Sequence, residues 1–331
     1  MIITKTPFRV SLFGGGTDYP AWYQKHGGAV VGFTINKYCY LSISKLDPYF
    51  DFKYRIIWSR IEDVNKISEI KHPAVRAALG WVDLKGGYEI SYRGDLPARS
   101  GLGTSSSFAV GIMNALHAVQ GLKLSQRELA DKAIFLEQDI LKDTVGCQDQ
   151  IWAAYGGFNQ ITFRPQGDGE QYNVINLLIC GRKRLEESFM LFFTGFTRTA
   201  SDIAERLIAA IEDGGKVDTL TKIGNYCETA RWILLDREDP LKEIGELLHE
   251  SWILKQGLTE GINTPAVNEI YEEGLDAGAF GGKLLGAGGG GFILFIVPPE
   301  NQQNVRDRLY KLIEVPIKIS DEGSKILVLE H

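Results

Sequence analysis

Little in this 331-residue chain suggests a covalent or metal-built framework. Its four cysteines, Cys39, Cys147, Cys180 and Cys227, are widely scattered with no C-x-x-C pair. They read as separate free thiols in a reducing cytosol. H-E-x-x-H is absent as well, so no zinc site announces itself. The longest strongly apolar run is FILFIV (292–297), far short of the roughly 20 residues that cross a bilayer. The opening MIITKTPFRV lacks the basic-then-apolar layout of a secretory signal. These absences point to a cytoplasmic protein with no membrane partner. Positive charge is not in excess either. A net charge of −6 argues against nucleic acid as a partner, although it leaves room for a local basic pocket. The phosphate-loop signature G-x-x-x-x-G-K-[ST] is missing, as are internal repeats and long linkers.

What is present is ordinary globular composition, 44% apolar and 24% charged, on a chain long enough for two domains and a large core. Three early stretches, IITKTPFRVSLF, AVVGFTINKYCYLSIS and YFDFKYRIIW, are rich in β-branched and aromatic residues and predict strands. YEISY (88–92), GGFNQITF (156–163) and SFMLFFTG (188–195) predict further ones. Phe108, Ile112, Leu116 and Val119 recur at helical spacing. Ser125-x-x-Glu128 is a capping box opening a second helix with the stripe Leu129, Ala133, Leu136 and Ile140. Residues from about 200 to 277 read as helices. A glycine cluster, the strand GFILFIV and a helix from about 301 with Val305, Leu309 and Leu312 on one face follow. The expected fold class is α+β, with two domains, 1–180 and 181–331, meeting at a cleft.

Four stretches could carry chemistry. In GDLPARSGLGTSSSF (94–108), a helix beginning near Thr104 would leave its first N–H groups unpaired and its positive dipole end exposed. Gly101 and Gly103 would let phosphate oxygens approach the backbone. Thr104, Ser105, Ser106 and Ser107 add four hydroxyls, more than a simple helix cap requires. In PFRVSLFGGGTDYPAW (7–22), three glycines follow a strand, with Arg9 and Asp18 on either side. By pattern alone, Arg9 could equally be a surface residue. In VGCQDQIWAAYGG (145–157), Asp149 lies among small and apolar neighbours, where a carboxylate needs a partner. It could accept a proton from a substrate hydroxyl or cap the following helix. In KLLGAGGGGFILFIV (283–297), GAGGGG formally matches G-x-G-x-x-G. The dinucleotide fingerprint needs a helix next, and a strand pattern follows instead. This cluster suits a loop packed against the phosphate site, or a tight turn.

In their order along the chain, PFRVSLFGGGTDY, LPARSGLGTSSS and GGKLLGAGGGGF resemble the three motifs of the GHMP kinases, the superfamily of galactokinase, homoserine kinase, mevalonate kinase and phosphomevalonate kinase. The resemblance spans essentially the whole chain and implies a two-domain GHMP-kinase-like fold with the active site in the cleft between the domains. It implies ATP as co-substrate, Mg²⁺ as cofactor, and a small-molecule sugar or sugar phosphate as acceptor, phosphorylated on its anomeric hydroxyl. Carried over by position, Arg99 and Gly101, Leu102, Gly103, Thr104, Ser105, Ser106 and Ser107 would bind the nucleotide phosphates. Ser105 and Glu137 would hold the metal, the bland alternative for Glu137 being a solvated helix residue. Asp149 would be the catalytic base, with Arg9 as its cationic partner. Gly15, Gly16, Thr17, Asp18, Gly288 and Gly289 would face the acceptor. Related folds also serve as sugar sensors without turnover, and the presence of both Arg9 and Asp149 favours the enzyme.

Two departures from the family pattern bear on the acceptor. Arg99 stands where the second motif usually has glycine, and so places a guanidinium beside the anion site. Gly15 and Gly16 replace a Glu-His pair of the galactokinase-like proteins, which would enlarge the sugar pocket. A phosphate on the acceptor would require a cation. Arg198 is the first candidate, with Lys37 and Arg99 behind it.

Overall fold

The structure is a computed structural model that describes residues 1–165, 167, 169–195 and 200–329. Its strands are β1 (Ile2–Phe13), β2 (Gly28–Leu46), β3 (Tyr54–Ile57), β4 (Ile61–Val64), β5 (Gly87–Gly94), β6 (Phe158–Phe163), β7 (Tyr172–Asn176), β8 (Phe189–Phe193), β9 (Gly281–Leu284), β10 (Phe292–Ile296), β11 (Ile313–Glu314) and β12 (Lys325–Leu329). One sheet runs β12-β1-β2-β5-β3-β4, with β6 also paired to β2 and β7 to β6. The other runs β11-β8-β10-β9. β7 and β8 belong to different sheets, but β12 crosses back to pair with β1, so the end of the chain closes the first sheet.

The 19-residue β2 organises the first sheet. Its first part pairs with β6 and its last part with β5, while β1 lies along its other side. Pro7 has no N–H to give the ladder, and the β1–β2 register shifts between Pro7 and Phe8. Beyond that bulge, the segment Phe8–Phe13 is buried throughout, with Arg9 in its middle. The centre of the second sheet is β10, whose FILFI is buried at every position, as a continuous apolar run predicts for a strand covered on both faces.

The helix Thr104–Val119 forms where its apolar spacing predicts. Phe108, Ile112 and Leu116 are buried and Val119 partly so. Gly111 lets it approach β1, because a Cβ there would meet Thr6 Oγ1 at 3.0 Å. The capping box forms as expected, with Glu128 N donating to Ser125 Oγ and Ser125 N donating to a Glu128 oxygen. This helix, Gln126–Phe135, continues into a π-helical turn, Leu136–Ile140.

Several expectations shift. Within YFDFKYRIIW only Tyr54–Ile57 is strand, because the chain is still turning after Asp47-Pro48. The last helix is short, Gln302–Arg308, and Leu309 and Leu312 lie in the turns that close it. The region from 200 to 277 resolves into four helices, Ala200–Glu212, Val217–Asp236, Leu241–Gln256 and Pro265–Asp276. The helices Pro20–His26 and Pro73–Val82, each with proline in its first turn, were not anticipated.

Candidate active site

A cleft of about 440 Å³ lies between the two halves of the chain. The first half contributes Arg9 and Ser11 of β1, Gly15, Gly16 and Asp18 just after it, the loop around Gly101, and Asp149. The second half contributes Ile203 and Leu207, Lys255, Lys283, Gly286 and Ala287.

At the centre is a bidentate ion pair. Arg9 Nε donates to Asp149 Oδ1 at 2.7 Å and Nη2 to Oδ2 at 2.6 Å. Arg9 Nη1 donates to the carbonyl of Gly101 at 2.6 Å, and Arg9 N to that of Leu102 at 3.1 Å. One residue therefore ties the floor of the cleft to the glycine loop. The Arg9 side chain is 6% exposed and that of Asp149 22%. Arg9 is thus no surface residue, and its guanidinium offsets the cost of burying the Asp149 charge. Asp149 lies in the first turn of the helix Gln148–Tyr155, whose N-cap, Cys147, receives no side-chain cap. The carboxylate is directed at Arg9 instead.

The loop above this pair brings backbone close to the cleft. Gly103 is the N-cap of Thr104–Val119, with φ +70° and no side-chain cap, so the first N–H groups of a 16-residue helix keep their capacity for an anion. At Gly101, φ is +85° and a Cβ would stand 2.4 Å from the Leu285 carbonyl oxygen. Only glycine fits there. Arg99, Gly103, Thr104, Ser105 and Ser106 line the cleft. Leu102 and Ser107 do not: Leu102 is a core side chain, and Ser107 Oγ donates to the Pro7 carbonyl, fastening the helix to β1. Their assignment to phosphate binding is corrected to structural roles.

Ser105 Oγ donates to Glu137 Oε1 at 2.8 Å, and Gln150 Nε2 donates to Glu137 Oε2 at 2.6 Å. Glu137 is 1% exposed, which excludes the solvated-helix reading. Burial pushes its carboxyl up to about 7, against the hydrogen bonds that favour the charged form. It lies in the π-helical turn, a distortion that recurs at functional sites. Among the described residues no group of three or more His, Cys, Asp or Glu could hold a metal ion. A hydroxyl and a carboxylate nevertheless suit Mg²⁺, which keeps most of its shell for water and phosphate oxygens.

Asp18 is 1% exposed, and the Gly16 N–H donates to its Oδ1. Burial first, then the charge of Asp149, raises its pKa above the usual carboxylate value. Gly15 and Gly16 line the cleft beside it. Thr17 is turned away, with Oγ1 donating to the carbonyls of Gly14 and Ala29, and it fixes the turn rather than facing a ligand. Gly288 and Gly289 also miss the cleft. A Cβ on Gly288 would be 2.5 Å from Ile262 Cα, and Gly289 N donates to the Ile262 carbonyl. The cluster instead packs against the loop before Thr104, Gly286 on Gly101 and Gly291 on Ser100. Lys37, on β2, does not line the cleft, and Arg198 lies outside the described residues.

Two lysines that sequence reasoning passed over do line it. Lys283 on β9 is 3% exposed, its Nζ donating to the Leu12 carbonyl at 2.7 Å, and burial drives its pKa far down. Lys255, in the last turn of Leu241–Gln256, donates to the Gly286 carbonyl at 2.5 Å. A lone lysine inside the apolar run GGKLLGA was a usable signal for Lys283. Lys255 had none, because a lysine in a last helical turn is the ordinary complement to the dipole.

Comparison with known proteins agrees with this architecture. Residues 65–157 match the GHMP kinases N terminal domain, and residues 235–314 match the GHMP kinases C terminal domain. Over 319 residues the chain is 29% identical to the D-glycero-alpha-D-manno-heptose 7-phosphate kinase of Campylobacter jejuni, covering 94% of this chain and 93% of that one. It is 27% identical to the bifunctional fucokinase/GDP-fucose pyrophosphorylase of Arabidopsis thaliana, covering 95% of this chain but 31% of the plant protein. The crystal structure of a D-glycero-D-manno-heptose 1-phosphate kinase from Bacteroides thetaiotaomicron superimposes with a TM-score of 0.80 over 100% of both chains, at 24% identity. That last likeness is one of fold.

Proposed function

Because the chain belongs to the GHMP kinases and is an ATP-dependent sugar kinase of that type, we propose that it phosphorylates the anomeric C1 hydroxyl of D-glycero-D-manno-heptose 7-phosphate. The product is the 1,7-bisphosphate, a precursor of nucleotide-activated heptose for surface polysaccharide. The observation that carries this reading is the bidentate Arg9–Asp149 pair in the floor of the cleft, tied through the Gly101 carbonyl to a loop that ends at an uncapped helix N-terminus.

Each role follows from where the side chain stands. The amides of Gly101 and of Gly103 to Ser106 hold the nucleotide phosphates, and Arg99 adds a guanidinium at the same mouth. Ser105 and Glu137 hold Mg²⁺, which when bound neutralises charge on the phosphates. Asp149 accepts the proton of the attacking hydroxyl, and Arg9 holds its carboxylate in one orientation. The anomeric hydroxyl is the most acidic of a sugar, which suits a carboxylate base. Asp18 accepts hydrogen bonds from sugar hydroxyls, and the two glycines before Thr17 leave room for a longer, phosphorylated acceptor.

A coupled assay of ADP release across heptose 7-phosphate, mannose 6-phosphate, galactose and fucose tests the reading. Heptose 7-phosphate is expected to lead in kcat/KM by at least about tenfold. Faster turnover of galactose or fucose would replace it with a kinase for an unphosphorylated sugar.

A further inference from the structure

Phosphoryl transfer needs cations aimed at the group in flight. Arg9 is already committed in part, since three of its five guanidinium N–H groups hold partners, Asp149 twice and the Gly101 carbonyl once. Its charge is also opposed by the carboxylate it grips.

Lys255 faces that pair from the second half of the chain. Its Nζ bonds the carbonyl of Gly286, and Gly286 rests directly on the phosphate loop, where a Cβ would lie 2.5 Å from Gly101 Cα. Gly101 is the residue whose carbonyl receives Arg9, so the ammonium stands beside both the loop and the ion pair. The charged groups around it are Arg9 and Lys283, which oppose it, and Asp18 and Asp149, which favour it. Among the described residues no carboxylate forms an ion pair with it, and one of its three donors is used.

We propose that Lys255 is a catalytic residue whose ammonium contacts the phosphoryl group as it passes from ATP to the acceptor, from the wall opposite Arg9. This requires only kinase turnover and is independent of which sugar is the acceptor. Burial and the nearby Arg9 pull the Lys255 pKa down to about 8. The contact needs the protonated amine, so activity should fall as pH rises through that value.

The test uses Lys255→Met and Lys255→Arg in the full chain, assayed with whichever acceptor the panel selects. An acceptor other than heptose 7-phosphate would then overturn the substrate reading without touching this one. Calorimetry with Mg²⁺ compares ADP with a non-hydrolysable ATP analogue, and thermal unfolding monitors the fold. For Lys255→Met the expected outcome is a kcat lower by about 100-fold or more. ADP affinity should be little changed, while the advantage of the ATP analogue over ADP is lost. Lys255→Arg should recover part of the turnover and move the alkaline limb of the kcat profile to higher pH. Unchanged kcat would overturn the proposal. So would an equal loss of ADP and analogue affinity accompanied by a lower Tm, the mark of a strut for Gly286. A rise confined to the acceptor KM would also overturn it, assigning Lys255 to the acceptor's own phosphate.

Discussion

On the wall contributed by the first half of the chain, Arg9, Asp149 and Glu137 are each tied to partners within that half. On the facing wall, Lys255 and Lys283 each reach a single backbone carbonyl, and that of Lys283, Leu12, belongs to the other half. The first arrangement holds a carboxylate in one orientation, as a base must be held before its substrate arrives. The second leaves two lysine amines that, among the described residues, pair with no carboxylate, which suits a wall that meets an anionic ligand. The first wall carries charges of both signs and the second two lysines, and they differ in how far those groups are satisfied.

Removing the proposed base should have the largest effect. Asp149→Ala is expected to lower the rate of ADP formation by between about 100-fold and 10,000-fold, with ADP binding by calorimetry nearly intact. Retained turnover would take the base role from the first wall. Next comes Arg9→Met, which strands a largely buried carboxylate and removes the link to Gly101. Urea unfolding should show a loss of roughly 3–5 kcal/mol. Lys255→Met gives up one charge-assisted bond to a carbonyl, worth roughly 1.5–3 kcal/mol. It also removes a buried charge, so its net loss should be clearly smaller than that of Arg9→Met. Equal losses would erase the contrast between the walls.

A smaller effect, dependent on pH, is expected at Asp18. Its folded pKa is raised, so the folded state holds the proton more tightly than the unfolded chain does. The stability this contributes is complete below the unfolded carboxylate value and is lost as pH rises through the folded one. Asp18→Asn removes that dependence. Its Tm should therefore improve relative to the parent protein as pH rises from 4 to 8, while sugar turnover falls. A Tm difference that is flat across this range would show Asp18 to be unperturbed by burial. The smallest effect is expected at Lys37→Ala, where the acceptor KM should stay within about twofold, because the residue does not line the cleft. A large rise in KM would require a closure of the cleft that brings β2 to the ligand.

Much of this was legible from local patterns. The helix after the glycine loop and the strand carrying Arg9 followed from periodicity and residue type. Asp149, by pattern between a helix and a strand, stands instead in the first turn of a helix. The misassigned residues fail for one common reason. Ser107, Thr17, Leu102 and Gly288 sit inside the right motifs, but each faces away from the cleft, towards Pro7, Gly14, the core and Ile262 respectively. A motif marks where the backbone passes the site, not which way each side chain turns. The glycine cluster after Lys283 shows the same limit. Its composition announced close backbone approach, and the approach is to the Ser100–Gly101 loop.

Local sequence determined the α+β elements and the glycine-rich loop before a helix, because loops, caps and apolar periodicity depend on neighbours in the chain. The order of its motifs carried the likeness to the GHMP kinases. Only the tertiary structure decided that Arg9 grips Asp149 across 140 residues, that Glu137 is buried against Ser105, and that Lys255 enters the cleft at all. Burial, ion pairing and the electrostatic field in a cleft arise between groups that are remote in sequence, and they exist only once the two halves have closed on one another.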